Sequence, residues 1–111
     1  MKIDIKTSHL DLTPALREYI LEKVGSLEKF LKRWEAEGEV EAWVEIDRTS
    51  NHHHKGDVFR AIIDIRLPHK ALRATEINGD IRAAIDRAKD VMRQEIGKHK
   101  DISGKKRTPT R

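Results

Sequence analysis

Apolar residues along this chain recur with two periods, and the switches between them lay out the elements. Lys2 to Lys6 reads K-I-D-I-K, which places Ile3 and Ile5 on one side of a short strand and charges on the other. Thr13 followed by Pro14 is a helix start, the hydroxyl capping free N–H groups and the proline φ suiting the first helical position. The spacing predicts a helix from Pro14 to about Lys32, with Leu16, Tyr19, Ile20, Val24, Leu27, Phe30 and Leu31 on its apolar arc and Lys23 inside that arc. Gly38 then serves as C-cap or turn. Glu39 to Asp47 alternates cleanly, with Val40, Ala42, Val44 and Ile46 on one face and acids and Trp43 on the other. Arg48 to Gly56 is rich in turn formers and reads as a mobile hairpin loop. Asp57 to Leu67 puts Phe59, Ala61, Ile63, Ile65 and Leu67 on one side and pairs antiparallel with the strand before it. After Pro68, His69 to Thr75 is an edge strand with Leu72 and Ala74 facing inward.

The last periodic stretch, Asn78 to Lys100, carries Ile77, Ile81, Ala84, Ile85, Ala88, Val91, Met92 and Ile96 at helical spacing. The order is βαβββα. Two helices on one face of a four-stranded sheet make an α+β sandwich, and the other face, with Asp4, Glu41, Trp43, Glu45 and Arg60, is left to water. Residues 1–101 read as one domain. Residues 102–111, ISGKKRTPTR, lose all periodicity and read as a basic disordered tail.

Composition adds limits. With 111 residues, 37% apolar and 38% charged, the chain suits one small domain with one modest core. There is no cysteine, which removes disulfides, thiolate metal sites and a cysteine nucleophile. No apolar run approaches the roughly 18 residues of a membrane span and the start MKIDIKTS has no hydrophobic signal core, so a cytoplasmic protein without a membrane partner is expected. The net charge of +4 conceals an asymmetry: residues 1–68 hold 11 Lys/Arg against 13 Asp/Glu, and residues 69–111 hold 12 against 6. A local positive field favours a polyanion through counterion release. At about 100° per residue, Arg82, Lys89, Arg93 and Lys100 fall on one line along the flank of the last helix.

The obvious metal bait is His52, His53 and His54, but three consecutive histidines in a loop point in different directions, whereas zinc ligands come from separated positions on a fixed frame. No metal, cofactor or small-molecule substrate is called for. No nucleophile–base pairing and no glycine-rich phosphate loop appears, so the chain does not read as an enzyme. The cations that carry a nucleic-acid reading are Arg82, Lys89, Arg93, Lys98 and Lys100 with the tail, and Lys23, Lys29, Lys32 and Arg33 in the first helix. So few exposed aromatics offer no stacking platform, and no base-reading motif is present, so backbone shape should dominate. Engagement of about five to eight phosphates would give a log–log salt slope of roughly −4 to −7.

The runs TPALREYILEKVGSLEKFL and GDIRAAIDRAKDVMRQEIGKHKD, taken with the order βαβββα, resemble the short ribosome hibernation-promoting factors, also called ribosome-associated inhibitors or ribosomal subunit interface proteins. The resemblance covers about residues 1 to 101. It implies binding to the small ribosomal subunit and its rRNA over the decoding region, blocking mRNA and tRNA, by a protein that is monomeric off the ribosome. Carried over by position, Lys23, Lys29, Arg82, Lys89, Arg93, Lys98, His99 and Lys100 would face the rRNA. Arg82 stands where the family usually has an aromatic. A shape-selective double-stranded RNA module, whose core order is also αβββα, is the alternative.

Overall fold

The computed structural model describes residues 1–50 and 56–107. Its elements are β1 (Lys2–Ser8), α1 (Pro14–Gly25), a 3₁₀ turn (Glu28–Phe30), α2 (Lys32–Glu35), β2 (Glu41–Ser50), β3 (Asp57–Leu67), β4 (Lys70–Asn78) and α3 (Ile81–Arg107). The sheet order is β1-β2-β3-β4, with β1 parallel to β2 and the other two pairs antiparallel. Alternation decides which residues point at the helices. Val44, Ile46, Ile63 and Ile65 are wholly buried there and meet Ile20, Val24, Leu27 and Leu31 from one side and Ile85, Met92 and Ile96 from the other. The expected α+β sandwich with helices on one face is therefore the fold.

The first helix is not continuous to Lys32. It stops at Gly25, where the Ser26 amide reaches back to the Glu22 carbonyl at 3.1 Å and the Ser26 hydroxyl donates to the Lys23 carbonyl at 2.6 Å. Glycine and serine both weaken a helix, the second by offering its side chain to the backbone. The chain continues as the 3₁₀ turn and α2, along which Leu27, Leu31 and Trp34 are all buried.

Two boundaries in the second half also differ. β4 runs on to Asn78, so Ile77 belongs to a strand, paired opposite Arg60 and 62% exposed, and not to the buried stripe of the last helix. The helix waits for a cap: Asp80 accepts the Arg82 amide at 2.9 Å through its carboxylate, while its own amide is held by the Asn78 side chain at 2.9 Å. At the far end α3 continues to Arg107, past the expected stop at residue 101. No proline stands in the way before Pro109. β2 is displaced to Glu41–Ser50 from the expected 39–47. The face of the sheet turned from the helices carries Trp43, 43% exposed, and the paired Arg73 and Asp64, 2.7 Å apart.

Candidate nucleic-acid interface

α1 lies along the β1 side of the sheet and α3 along β3 and β4, leaving a groove between the helices. Tyr19 spans it, its hydroxyl donating to Asp86 of α3 at 2.6 Å. That bond, together with partial burial, pushes the Tyr19 phenol up to about 12. Lys23, one turn on, stands 4.0 Å from the same carboxylate and 5.4 Å from the Tyr19 ring centre. The Arg82 guanidinium covers that ring at 4.6 Å.

The pattern repeats further along. Phe30, from the 3₁₀ turn, has Arg93 of α3 over its ring at 4.8 Å and Lys29 at 5.3 Å. Trp34 of α2 has Arg33 at 5.7 Å and stacks on His99 of α3, 5.5 Å between centres and 21° between planes. Each ring of the first helical half thus collects cations, for Tyr19 and Phe30 from both sides of the groove. Aromatic faces attract cations electrostatically and hold long side chains extended at little loss of hydration.

Lys23 meets Tyr19 four residues away within α1, and Lys29 meets the adjacent Phe30. On a straight helix Lys23 and Lys29 would lie about 120° apart. Both stand beside rings that also carry an α3 arginine. The expected row on α3 is also present: Arg82, Arg93 and Lys100 are exposed, and no acid pairs with any of them among the described residues. Lys89 is more withdrawn, 24% exposed, with its ammonium 2.8 Å from Asp90. Six cations, Lys23, Lys29, Arg82, Lys89, Arg93 and Lys100, thus outnumber the acids Asp80, Asp86 and Asp90 beside them, and the field there is positive.

Lys98 and His99 do not join the row. Lys98 lies about 160° round the helix from Lys100, and is 70% exposed beside Glu95 at 3.4 Å. His99 is half-buried against Trp34. The part played by Tyr19 and Phe30 was not legible in the sequence, because a ring at the edge of an apolar arc repeats with the same spacing as one at its centre. Tyr19 and Phe30 are only partly exposed, and each carries a guanidinium over its ring. His52, His53 and His54 lie outside the described residues, and among those described no group of three His, Cys, Asp or Glu is placed to hold a metal ion. No helix among them is long and apolar enough to cross a membrane.

Near Phe30 the groove opens into a cleft of about 480 Å³ lined by Phe30, Asp90, Arg93, Gln94, Ile96, Gly97 and Lys100. Fold and groove together describe a small α+β domain that presents a cationic, ring-floored channel between two helical segments on one side of its sheet. The model of the family described as sigma 54 modulation protein / S30EA ribosomal protein matches residues 3–103, and the chain belongs to that family. It is 27% identical over 108 residues to the ribosome hibernation promotion factor of Lactococcus lactis subsp. cremoris (strain MG1363), covering 96% of this chain and 53% of that protein. To the ribosome hibernation promotion factor of Staphylococcus aureus (strain COL) it is 32% identical over 100 residues, covering 90% of this chain and 48% of that protein. The chain therefore spans about half the length of the curated relatives it matches. Among solved structures, the Thermus thermophilus Protein Y N-terminal domain superposes with a TM-score of 0.72 at 28% identity, over 89% of this chain and 99% of that one. A ribosomal subunit interface protein from Coxiella burnetii shares the fold at a TM-score of 0.69 and 19% identity, over 91% and 99% of the two chains.

Proposed function

We propose that this chain is a ribosome-binding domain that silences translation: the groove between its helices docks on small-subunit rRNA near the decoding region and occupies the space that mRNA and tRNA need. The observation that carries this is the row Arg82, Arg93 and Lys100, turned clear of the sheet and not paired with acids among the described residues. Membership of a family whose curated relatives are named ribosome hibernation promotion factors supports it. The action is competitive blockade, so the chain needs affinity and shape and no reacting group. Lys23 and Lys29 extend the cationic surface across the groove, and the rings beneath them limit the side-chain freedom lost on docking.

Co-sedimentation with purified small subunits over a range of salt tests this. The protein travels with the subunit at low salt, dissociates with a log–log slope of roughly −4 to −7, and displaces bound mRNA and tRNA. Failure to travel at low salt refutes the proposal. Equal affinity for a plain RNA duplex and for small subunits would replace it with general duplex binding.

A further inference from the structure

We infer that the cleft beside Phe30 is a nucleotide subsite, taking one unstacked RNA base against Arg93 while the adjoining phosphates meet Lys29 and Lys100. This rests on the proposed RNA-binding role and narrows it to a ligand. The cleft, at about 480 Å³, falls in the range of sites that enclose small planar ligands. At its floor the Arg93 guanidinium stands over the Phe30 ring, 4.8 Å from the ring centre, and the guanidinium is exposed, a group of the kind on which unpaired bases lie. The wall is not uniformly positive. Asp90 and Gln94 line it with Lys100 and Gly97. A carboxylate repels a phosphate but accepts hydrogen bonds from the ring and amino N–H groups of a base, and an amide both donates and accepts. The base edge therefore belongs at the Asp90 and Gln94 side, and the phosphates with Lys100 and with Lys29, which flanks the same ring at 5.3 Å. Gly97 leaves the entrance open, since a Cβ built there meets nothing within 4 Å.

The test uses the full chain and two RNA duplexes, identical except that one carries a single bulged 2-aminopurine whose fluorescence reports stacking. The bulged duplex binds about tenfold tighter than the plain one, as a stacked base warrants, and its fluorescence is quenched. Gly97→Leu fills the cleft without touching the core. It removes both the preference and the quenching, and leaves the thermal midpoint at or above that of the parent. Equal binding of the two duplexes by the parent chain overturns the inference, as does a preference that survives Gly97→Leu. AMP serves as a third probe: if it binds and Gly97→Leu abolishes that binding while the bulge confers no preference, the cleft holds free nucleotides and not RNA. Loss of the subsite alone leaves small-subunit co-sedimentation intact, whereas failure of the broader proposal abolishes it.

Discussion

Replacing Arg93 and Lys100 together by glutamine isolates the electrostatic part of docking. Glutamine keeps a helix-forming, polar, unbranched side chain and introduces no repulsion, so the change in salt slope reports the two positive charges, while the guanidinium face that Arg93 offers a base is lost at every salt concentration. If each neutralises one phosphate, the log–log salt slope becomes shallower by about 1.8, which corresponds to an electrostatic loss of about sixtyfold near 0.1 M salt and little near 1 M. The structural loss is smaller. Arg93 gives up its place over Phe30, a contact 4.8 Å long at an exposed site, worth about 0.5 to 1 kcal/mol. Lys100 is exposed and makes no ion pair or ring contact among the described residues. The thermal midpoint should therefore fall by no more than about 8 °C. Lys98→Gln removes an equal charge from the opposite flank, where Glu95 already answers it at 3.4 Å, and should leave the slope almost unchanged. Lys89→Gln should have a smaller effect than Arg93→Gln, because docking must first draw the ammonium from Asp90, 2.8 Å away. Filter binding to small subunits across a salt series, with thermal melts of each variant, measures all four. A slope unmoved in the Arg93 and Lys100 double variant, or moved as much by Lys98→Gln, refutes the assignment of the groove.

Tyr19 is the one tyrosine of the chain, so an ultraviolet titration reads it alone: ionisation should centre at about 12, and Asp86→Asn should return it toward the ordinary phenol value of 10.0. Because the folded value is the raised one, its stabilising share is full below the unfolded value and is lost as pH rises through the folded one; Tyr19→Phe, which removes the 2.6 Å bond to Asp86, should lower stability by about 1 to 2 kcal/mol in denaturant melts. The Met1 ammonium, held by Glu28 at 2.7 Å and Glu35 at 3.0 Å, ties β1 to the turn that carries Lys29 and Phe30. The carboxylates raise the amine above 8.0 and the amine lowers Glu28 below 4.5, so this clasp stabilises most between those values, fading at higher pH as the amine deprotonates and at lower pH as Glu28 protonates. Glu28→Gln should accordingly lower the melting temperature at neutral pH and leave it unchanged above the pKa of the amine. Gly25→Ala meets no neighbour within 4 Å and should raise stability by up to about 1 kcal/mol without altering RNA affinity; a loss of stability would mean that the bend after Gly25 needs the freedom of glycine.

What the sequence could show follows from what periodicity measures. Strands β2 and β3 alternate because one face is buried and the other wet, and the core stripe of α3 from Ile81 to Ile96 repeats for the same reason, so both could be read directly. The bend in the first helix could not. Leu27, Leu31 and Trp34 keep a helical spacing straight through it, and Gly25 and Ser26 are small enough to sit in either conformation, so the apolar pattern is the same for one helix and for three short segments. Ile77 misled for a related cause: it is exposed on β4, yet stands four residues before Ile81 and so mimics the next turn of α3.

The candidate site follows the same division. Charges at about 100° spacing name the row Arg82, Lys89, Arg93 and Lys100, because direction around a single helix depends only on local geometry. Where those charges go depends on tertiary contacts that no spacing encodes. Tyr19 and Phe30 come from the first helical half, more than fifty residues before the arginines laid over them, and Asp90 withdraws Lys89. Lys23 meets Tyr19 within α1 and Lys29 meets the adjacent Phe30, and each of these rings also carries an arginine of α3. The rings, which no local spacing singles out, are thus what join two separately basic helical halves. Tyr19→Leu and Phe30→Leu should impair RNA docking even where every cation is retained.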